Sequence, residues 1–140
     1  MALRSGQAVF VDTGAWIALA LTRDPLHERA VAAWTELTTV GAALRCSIPV
    51  VLETFTFLER NVRRDLALEW KDSLSELKRF RILECRQADL GHAWKYFDRR
   101  DLHKLSAVDA TSFAIMRREK ITTAFAFDHH FASVGFRLVG

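Results

Sequence analysis

Ala8-Val9-Phe10-Val11-Asp12-Thr13-Gly14-Ala15-Trp16 decides how the rest of the chain is read. Three β-favouring residues, Val9, Phe10 and Val11, run directly into an acid, and a helical pattern begins just beyond it. A short apolar run bounded this way is a buried strand of a parallel sheet. Asp12 then stands at the carboxyl end of that strand, where open α/β sheets build their sites. A charge that interrupts a buried run is costly unless it is used. The arrangement returns near the other end, where Ile121-Thr122-Thr123-Ala124-Phe125-Ala126-Phe127 reads as a strand and Asp128 follows it.

Between these two strands the pattern alternates. A short buried helix follows Asp12, and Asp24-Pro25 reads as an N-cap acid with proline at the first position of the next helix. Leu26, Ala30, Ala33 and Leu37 continue that helix at amphipathic spacing. Leu44-Arg45-Cys46-Ser47 reads as a second strand, and Ser47 with Pro49 opens a helix over 49–60 that carries Glu53. Further helices are predicted over 65–78, 88–97 and 106–118, a third strand at Phe80-Arg81-Ile82-Leu83-Glu84-Cys85, and a last short one at Phe136-Arg137-Leu138-Val139. Strands alternating with helices define a three-layer α/β domain whose short, mostly parallel sheet is flanked by helices.

The bulk numbers agree with one domain over 1–140. The chain has 140 residues, half of them hydrophobic, which excludes a disordered polymer. Lys and Arg outnumber Asp and Glu by 20 to 17, a mild excess that permits an anionic partner without demanding one. Cys46 and Cys85 lack metal-ligand spacing and read as free thiols. The chain shows no targeting signal and no apolar run long enough to span a bilayer, so a cytoplasmic protein without membrane contact is expected.

Four carboxylates stand at helix starts or strand ends: Asp12, Glu53, Asp109 and Asp128. They come from different elements and meet only through the fold. Mg2+ or Mn2+ wants such a set of hard oxygen donors, and phosphodiester hydrolysis uses the bound ion to activate water and offset charge at the phosphate. Each acid also has a plainer use. Asp109 is the last residue of Ser106-x-x-Asp109, close to a capping box, Asp128 can cap the His129-His130-Phe131 turn, and Glu53 can face solvent from its helix. Their joint placement is what the plainer uses leave unexplained.

These residues resemble those of the PIN-domain ribonucleases, and most closely the VapC-type toxins of bacterial toxin–antitoxin pairs. The likeness rests on Val9-Phe10-Val11-Asp12-Thr13, on Val51-Leu52-Glu53-Thr54, on Leu105-Ser106-Ala107-Val108-Asp109-Ala110 and on Ala126-Phe127-Asp128-His129-His130-Phe131, with Gly135-Phe136 after. It implies a single PIN domain and a metal-dependent endoribonuclease. Asp12, Glu53, Asp109 and Asp128 would be the catalytic, metal-binding acids and Thr13 an accessory hydroxyl. It also implies an RNA substrate, a cognate antitoxin and a homodimer, for which Trp34, Trp70 and the first helices offer either an interface or simply core. Two positions depart from the family pattern. Gly14 replaces a common Ser or Asn, and Ala126 replaces a common Thr two residues before the last acid.

Ala126 gives an alternative its support: a PIN-like module that binds RNA or protein without cutting. Val11-Asp12-Thr13-Gly14-Ala15 also matches the loop of retroviral-type aspartic proteases, which are all-β and glycine-rich. At least five helical segments and only 6 glycines argue against that reading. His129-His130 reads as substrate contact or surface rather than a zinc site, since only a pair is present. Basic residues gather at Arg63 and Arg64 and again at Arg99, Arg100 and Lys104, just before Ser106-x-x-Asp109, where they are candidates for holding RNA phosphates.

Overall fold

The structure is a computed structural model that describes residues 2–140. Ala8–Val11 forms β1, whose Val9, Phe10 and Val11 have no exposed surface. Such a strand is stable only with neighbours on both edges and cover on both faces. It has both. β2 (Ala43–Ser47) and β3 (Phe80–Leu83) lie on one side of β1, β4 (Thr123–Phe125) and β5 (Arg137–Val139) on the other, giving the order β3-β2-β1-β4-β5. All four pairings are parallel, with Ala8 opposite Ala43 and Val9 opposite Thr123. The connections run outward in one direction from β1 to β3 and then return to its other edge at β4. That reversal opens a crevice beyond the carboxyl ends of β1 and β4.

Among the described residues seven α-helices surround the sheet: α1 (Thr13–Ala20), α2 (His27–Val40), α3 (Ile48–Asn61), α4 (Arg64–Ser73), α5 (Gln87–Trp94), α6 (Ala107–Glu119) and α7 (His130–Ser133). α1 packs on α2 and α3, α3 on α4, and α5 on α6, while α3 and α6 also touch each other. α3 follows from its sequence. Ser47 accepts a hydrogen bond from the Val50 N–H at 3.3 Å, Pro49 sits in the first turn, and Val50, Thr54 and Leu58 form the buried stripe. α6 is different, because every residue from Asp109 to Met116 is buried. Small residues such as Ala110, Ser112 and Ala114 let it sit inside the domain rather than on it.

Several boundaries differ from the sequence reading. Pro25 lies in a turn ahead of α2, not in its first helical turn: the Asp24 carboxylate accepts the Leu26 N–H at 2.8 Å, and the helix starts at His27. α2 ends on Gly41, whose φ of 75° is the left-handed cap a side chain disfavours. The 65–78 helix stops at Ser73 and tightens into a 3-10 turn at Leu74–Glu76. β4 pairs only through Phe125, so Asp128 sits in the turn that follows and not on the strand tip. Trp34 and Trp70 both pack on Trp16, with ring centroids 5.7 and 5.8 Å away, and Trp70 belongs to the core. Cys46 and Cys85 are free, the first buried and the second half-buried. Among the described residues no helix is long and apolar enough to cross a membrane.

Candidate active site

The crevice at the reversal collects the four acids from four elements. Asp12 is the residue between β1 and α1, and its own N–H donates to the Phe125 carbonyl of β4 at 3.0 Å. That bond ties the first acid to the strand that leads to the last. Glu53 comes from the second turn of α3 and is half-buried. Asp109 is the third residue of α6, where its N–H donates to Ser106 Oγ at 3.0 Å. Among the described residues no bond returns from the Asp109 carboxylate to Ser106, so the capping box is only half made. Asp128 accepts the His130 N–H at 2.9 Å, which fixes its carboxylate across the turn before α7.

Electrostatics show that the four face one another. Asp12 is 4% exposed, and its carboxyl is pushed up from 3.8 to about 7. Burial is the main cause and the charges of Glu53 and Asp128 add to it, while the backbone N–H groups of Thr13 and Gly14 pull the other way. Asp109 is pushed up to about 9, by burial first and then by Asp12, Asp128 and Glu53. Asp128 moves in the opposite direction. Its partial burial is the largest single influence and raises it, but the His130 amide, a proton shared with Asp109 and the His130 ring together hold it below the usual carboxylate range. Removing one charge from this set would relax the others.

Besides the indole nitrogens of Trp16 and Trp70, the buried side-chain polar atoms without a hydrogen-bond partner among the described residues belong to Asp12, its neighbour Thr13 and His130. Asp12 Oδ1, Thr13 Oγ1 and both ring nitrogens of His130 are buried without a hydrogen-bond partner. Leaving each such atom unmet costs roughly 1–3 kcal/mol, so a fold keeps them where something else meets them. A divalent ion fits. Carboxylates are the donors that Mg2+ and Mn2+ prefer, crowded acids are the arrangement such an ion neutralises, and one ligand atom each from Asp109, Asp128 and His130 lies within 4.8 Å of the others. Thr13 Oγ1, on the residue after Asp12, is a buried hydroxyl without a hydrogen-bond partner.

The two departures are also placed. A Cβ on Gly14 would come no closer than 3.9 Å to Asp12 Oδ2, so the missing side chain leaves room beside the acid. Ala126 is buried at 2% exposure and brings no hydroxyl to the crevice. The basic candidates are all exposed. Arg63 pairs with Asp65 and Arg64 with Glu59, and Arg99 is held by Asp101 and the Ser133 carbonyl. Arg100 and Lys104 form no ion pair among the described residues and remain open to an anion.

His130 was not legible as part of the site. A His-His dipeptide beside an acid reads as surface, yet the His130 side chain is 6% exposed and that of His129 is 81% exposed. Cavity size is no guide here: a cavity of about 680 Å3 between α5 and α6 contains none of the four acids. Glu53 instead borders a more open one of about 580 Å3, together with Val108, Leu52 and Phe57.

Residues 9–137 match the PIN domain family, and the chain belongs to it. It is 36% identical over 129 residues to the 23S rRNA-specific endonuclease VapC20 of Mycobacterium tuberculosis, covering 91% of this chain and 95% of that protein. The crystal structure of that protein, described as a sarcin–ricin loop cleaving toxin, superposes with a TM-score of 0.80 and 32% identity over 91% of this chain and 95% of the other. VapBC2 of Rickettsia felis, bound to a DNA fragment from its promoter, shares the fold at a TM-score of 0.70 and 12% identity, covering 94% and 97% of the two chains.

Proposed function

We propose that this PIN-domain protein is the ribonuclease toxin of a toxin–antitoxin pair, acting in the cytoplasm on ribosomal RNA and requiring Mg2+ or Mn2+. The observation that carries the reading is the convergence of Asp12, Glu53, Asp109 and Asp128 on one crevice, with Asp12 and Asp109 pushed up by burial and mutual repulsion. Likeness to a 23S rRNA-specific endonuclease over nine-tenths of the chain supports the substrate class.

In this reading the quartet holds the ion, and the ion when bound supplies positive charge that offsets the developing charge on the phosphate and makes water a better nucleophile. The protein's own groups do the positioning. Thr13 Oγ1, unmet in the fold, orients the attacking water, so a hydroxyl at Ala126 is not needed. Arg100 and Lys104, with help from Arg63, Arg64 and Arg99, hold flanking phosphates and bring the scissile bond to the crevice. The exposed Leu52 and Phe57 beside Glu53 offer an apolar surface to the antitoxin, which would block access to the acids.

The test is cleavage of 23S rRNA and of a synthetic sarcin–ricin-loop RNA by the purified protein, with Mg2+, with Mn2+ and with EDTA. Cutting at one position is expected in both metal arms and none in EDTA. Cleavage undiminished by EDTA would remove the metal from the mechanism. Intact RNA in every arm, with RNA still bound, would favour the non-cutting module that Ala126 supports.

A further inference from the structure

The two adjacent histidines are treated in opposite ways by the fold. His129 projects into solvent, whereas His130 is 5% exposed with neither ring nitrogen in a hydrogen bond. Its Nδ1 lies 3.0 Å from Asp128 Oδ1 but is not aligned to share a hydrogen with it. Nδ1 has the Asp128 carboxylate at ion-pair distance, whereas Nε2 has no partner, and a buried imidazole nitrogen without one is an unusual state for a native side chain. The ring is not there by default of packing alone. Phe131, the next residue, is fully buried and meets Phe113 edge-on at 4.9 Å, and Phe113 lies one turn along α6 from Asp109. A ring nitrogen of His130 also lies within 4.8 Å of a carboxylate oxygen of Asp109 on that helix.

We infer that His130 is a nitrogen ligand of the divalent-ion site, joining Asp109 and Asp128, and that it makes the site prefer Mn2+ to Mg2+. The inference rests on the quartet being a metal site. One donor atom from each of the three residues already lies within 4.8 Å of the other two. Donors that share one ion at about 2.0–2.2 Å are separated by up to about 4.4 Å, so only a small closure is required. The Asp128 carboxylate is held by the His130 N–H, which keeps both side chains on the same side of the turn. Mg2+ demands oxygen donors and gives up water reluctantly, whereas imidazole favours the transition ions. A site with one nitrogen among its oxygens therefore discriminates by donor type.

The experiment uses the full chain stripped of metal and loaded with Mn2+ alone. Pulsed electron paramagnetic resonance should detect a 14N coupling of a directly bound imidazole, and His130→Gln should abolish it. Calorimetric titration should show His130→Gln weakening Mn2+ by about 10-fold or more, with Mg2+ affinity left nearly as in the parent. Mn2+ bound by the parent without a nitrogen coupling would overturn the inference while leaving the acid site standing, and that result needs no variant to fold. Equal losses for the two ions would overturn the preference for Mn2+. A parent that binds no Mn2+ would overturn both this inference and the metal reading beneath it. Unfolding of His130→Gln by circular dichroism would pass the ligand question to the parent's spectrum alone, where presence of the coupling supports it and absence refutes it.

Discussion

Asp89 and Asp109 occupy the same station on two helices that pack together. Each is the third residue of its helix, α5 or α6, and each is buried, at 2% and 8% exposure. Their surroundings are opposite. The Asp89 carboxylate accepts the Arg86 N–H at 2.8 Å and pairs with the Arg118 guanidinium, which also donates to the Glu84 carbonyl. Asp109 faces Asp12, Asp128 and Glu53, with no cation paired to it among the described residues. A buried acid is therefore no mark of a site. What separates a structural acid from a chemical one is whether the fold satisfies it.

The largest effect that tests this contrast is on chemistry. Asp12→Asn should lower RNA cleavage by roughly 100- to 1000-fold, the scale on which removing one electrostatic element of an active site is felt. Asp89→Asn, equally buried, should leave the cleavage rate of the folded protein unchanged. A rate measurement on matched folded fractions decides it, and equal losses at both positions would erase the distinction.

Stability should respond in the reverse order. Asp89→Ala takes from the partly buried Arg118 its buried carboxylate, leaving it Glu119 and the Glu84 carbonyl, and removes the acceptor for the Arg86 N–H. The loss should be roughly 2–3 kcal/mol in urea unfolding, below the full range for a buried pair because the Arg118 side chain keeps 18% exposure. Asp109→Asn removes repulsion instead. In EDTA it should be as stable as the parent or more so, and Mn2+ should raise its melting temperature less than the parent's. A variant less stable in EDTA with an undiminished Mn2+ shift would make Asp109 a second Asp89.

The pH dependence follows from the same repulsion. Folded Asp12 and Asp109 keep protons that the unfolded chain gives up near 3.8, with folded values of about 7 and about 9. Over that window the folded state binds more protons, so metal-free stability is greatest at the acid end and falls as pH rises through 7 and 9. Urea midpoints across this range should decline in the parent and flatten at the alkaline end in Asp109→Asn. A parent whose stability rises from pH 5 to pH 9 would contradict the crowding of the acids.

Capping letters taken by themselves would rank these two acids the wrong way round. Ser106-x-x-Asp109 carries the letters of a capping box and Arg86-x-x-Asp89 does not, yet Asp89 returns the bond to the backbone and Asp109 does not. Capping letters describe local options, whereas the choice is made by Arg118, distant in sequence. Asp12 and Asp128 stand out in the sequence because β1 and β4 are apolar runs that stop at or near an acid, whereas Glu53 and Asp109 lie on helices and stand out only as acids near helix starts. Pro25 misled because Asp24 caps a turn before the helix. His130 was hidden because inward or outward placement of a turn residue depends on the packing of Phe131 on Phe113.

The smallest effect sharpens the comparison on the cationic side. Arg118 is held by its partners, whereas Arg100 and Lys104 are not, so only the latter are free to meet phosphate. Arg100→Ala with Lys104→Ala should weaken RNA binding and lower the salt slope by about 0.7 for each phosphate of a single-stranded RNA that is no longer neutralised. Filter binding at several salt concentrations reads the slope, and an unchanged slope would return both residues to solvent.

The pairing of β1 with β4 has a consequence for synthesis. Val9 leaves the ribosome early, but the strand it must pair with on one edge begins at Thr123. Closing that edge means joining two segments far apart in sequence, an entropic step that local helices cannot begin. Asp12 is therefore translated long before it has Asp109 or Asp128 for company. Until Asp109 and Asp128 have also been made, a nascent chain carries the first of these acids without the cleft that gathers them.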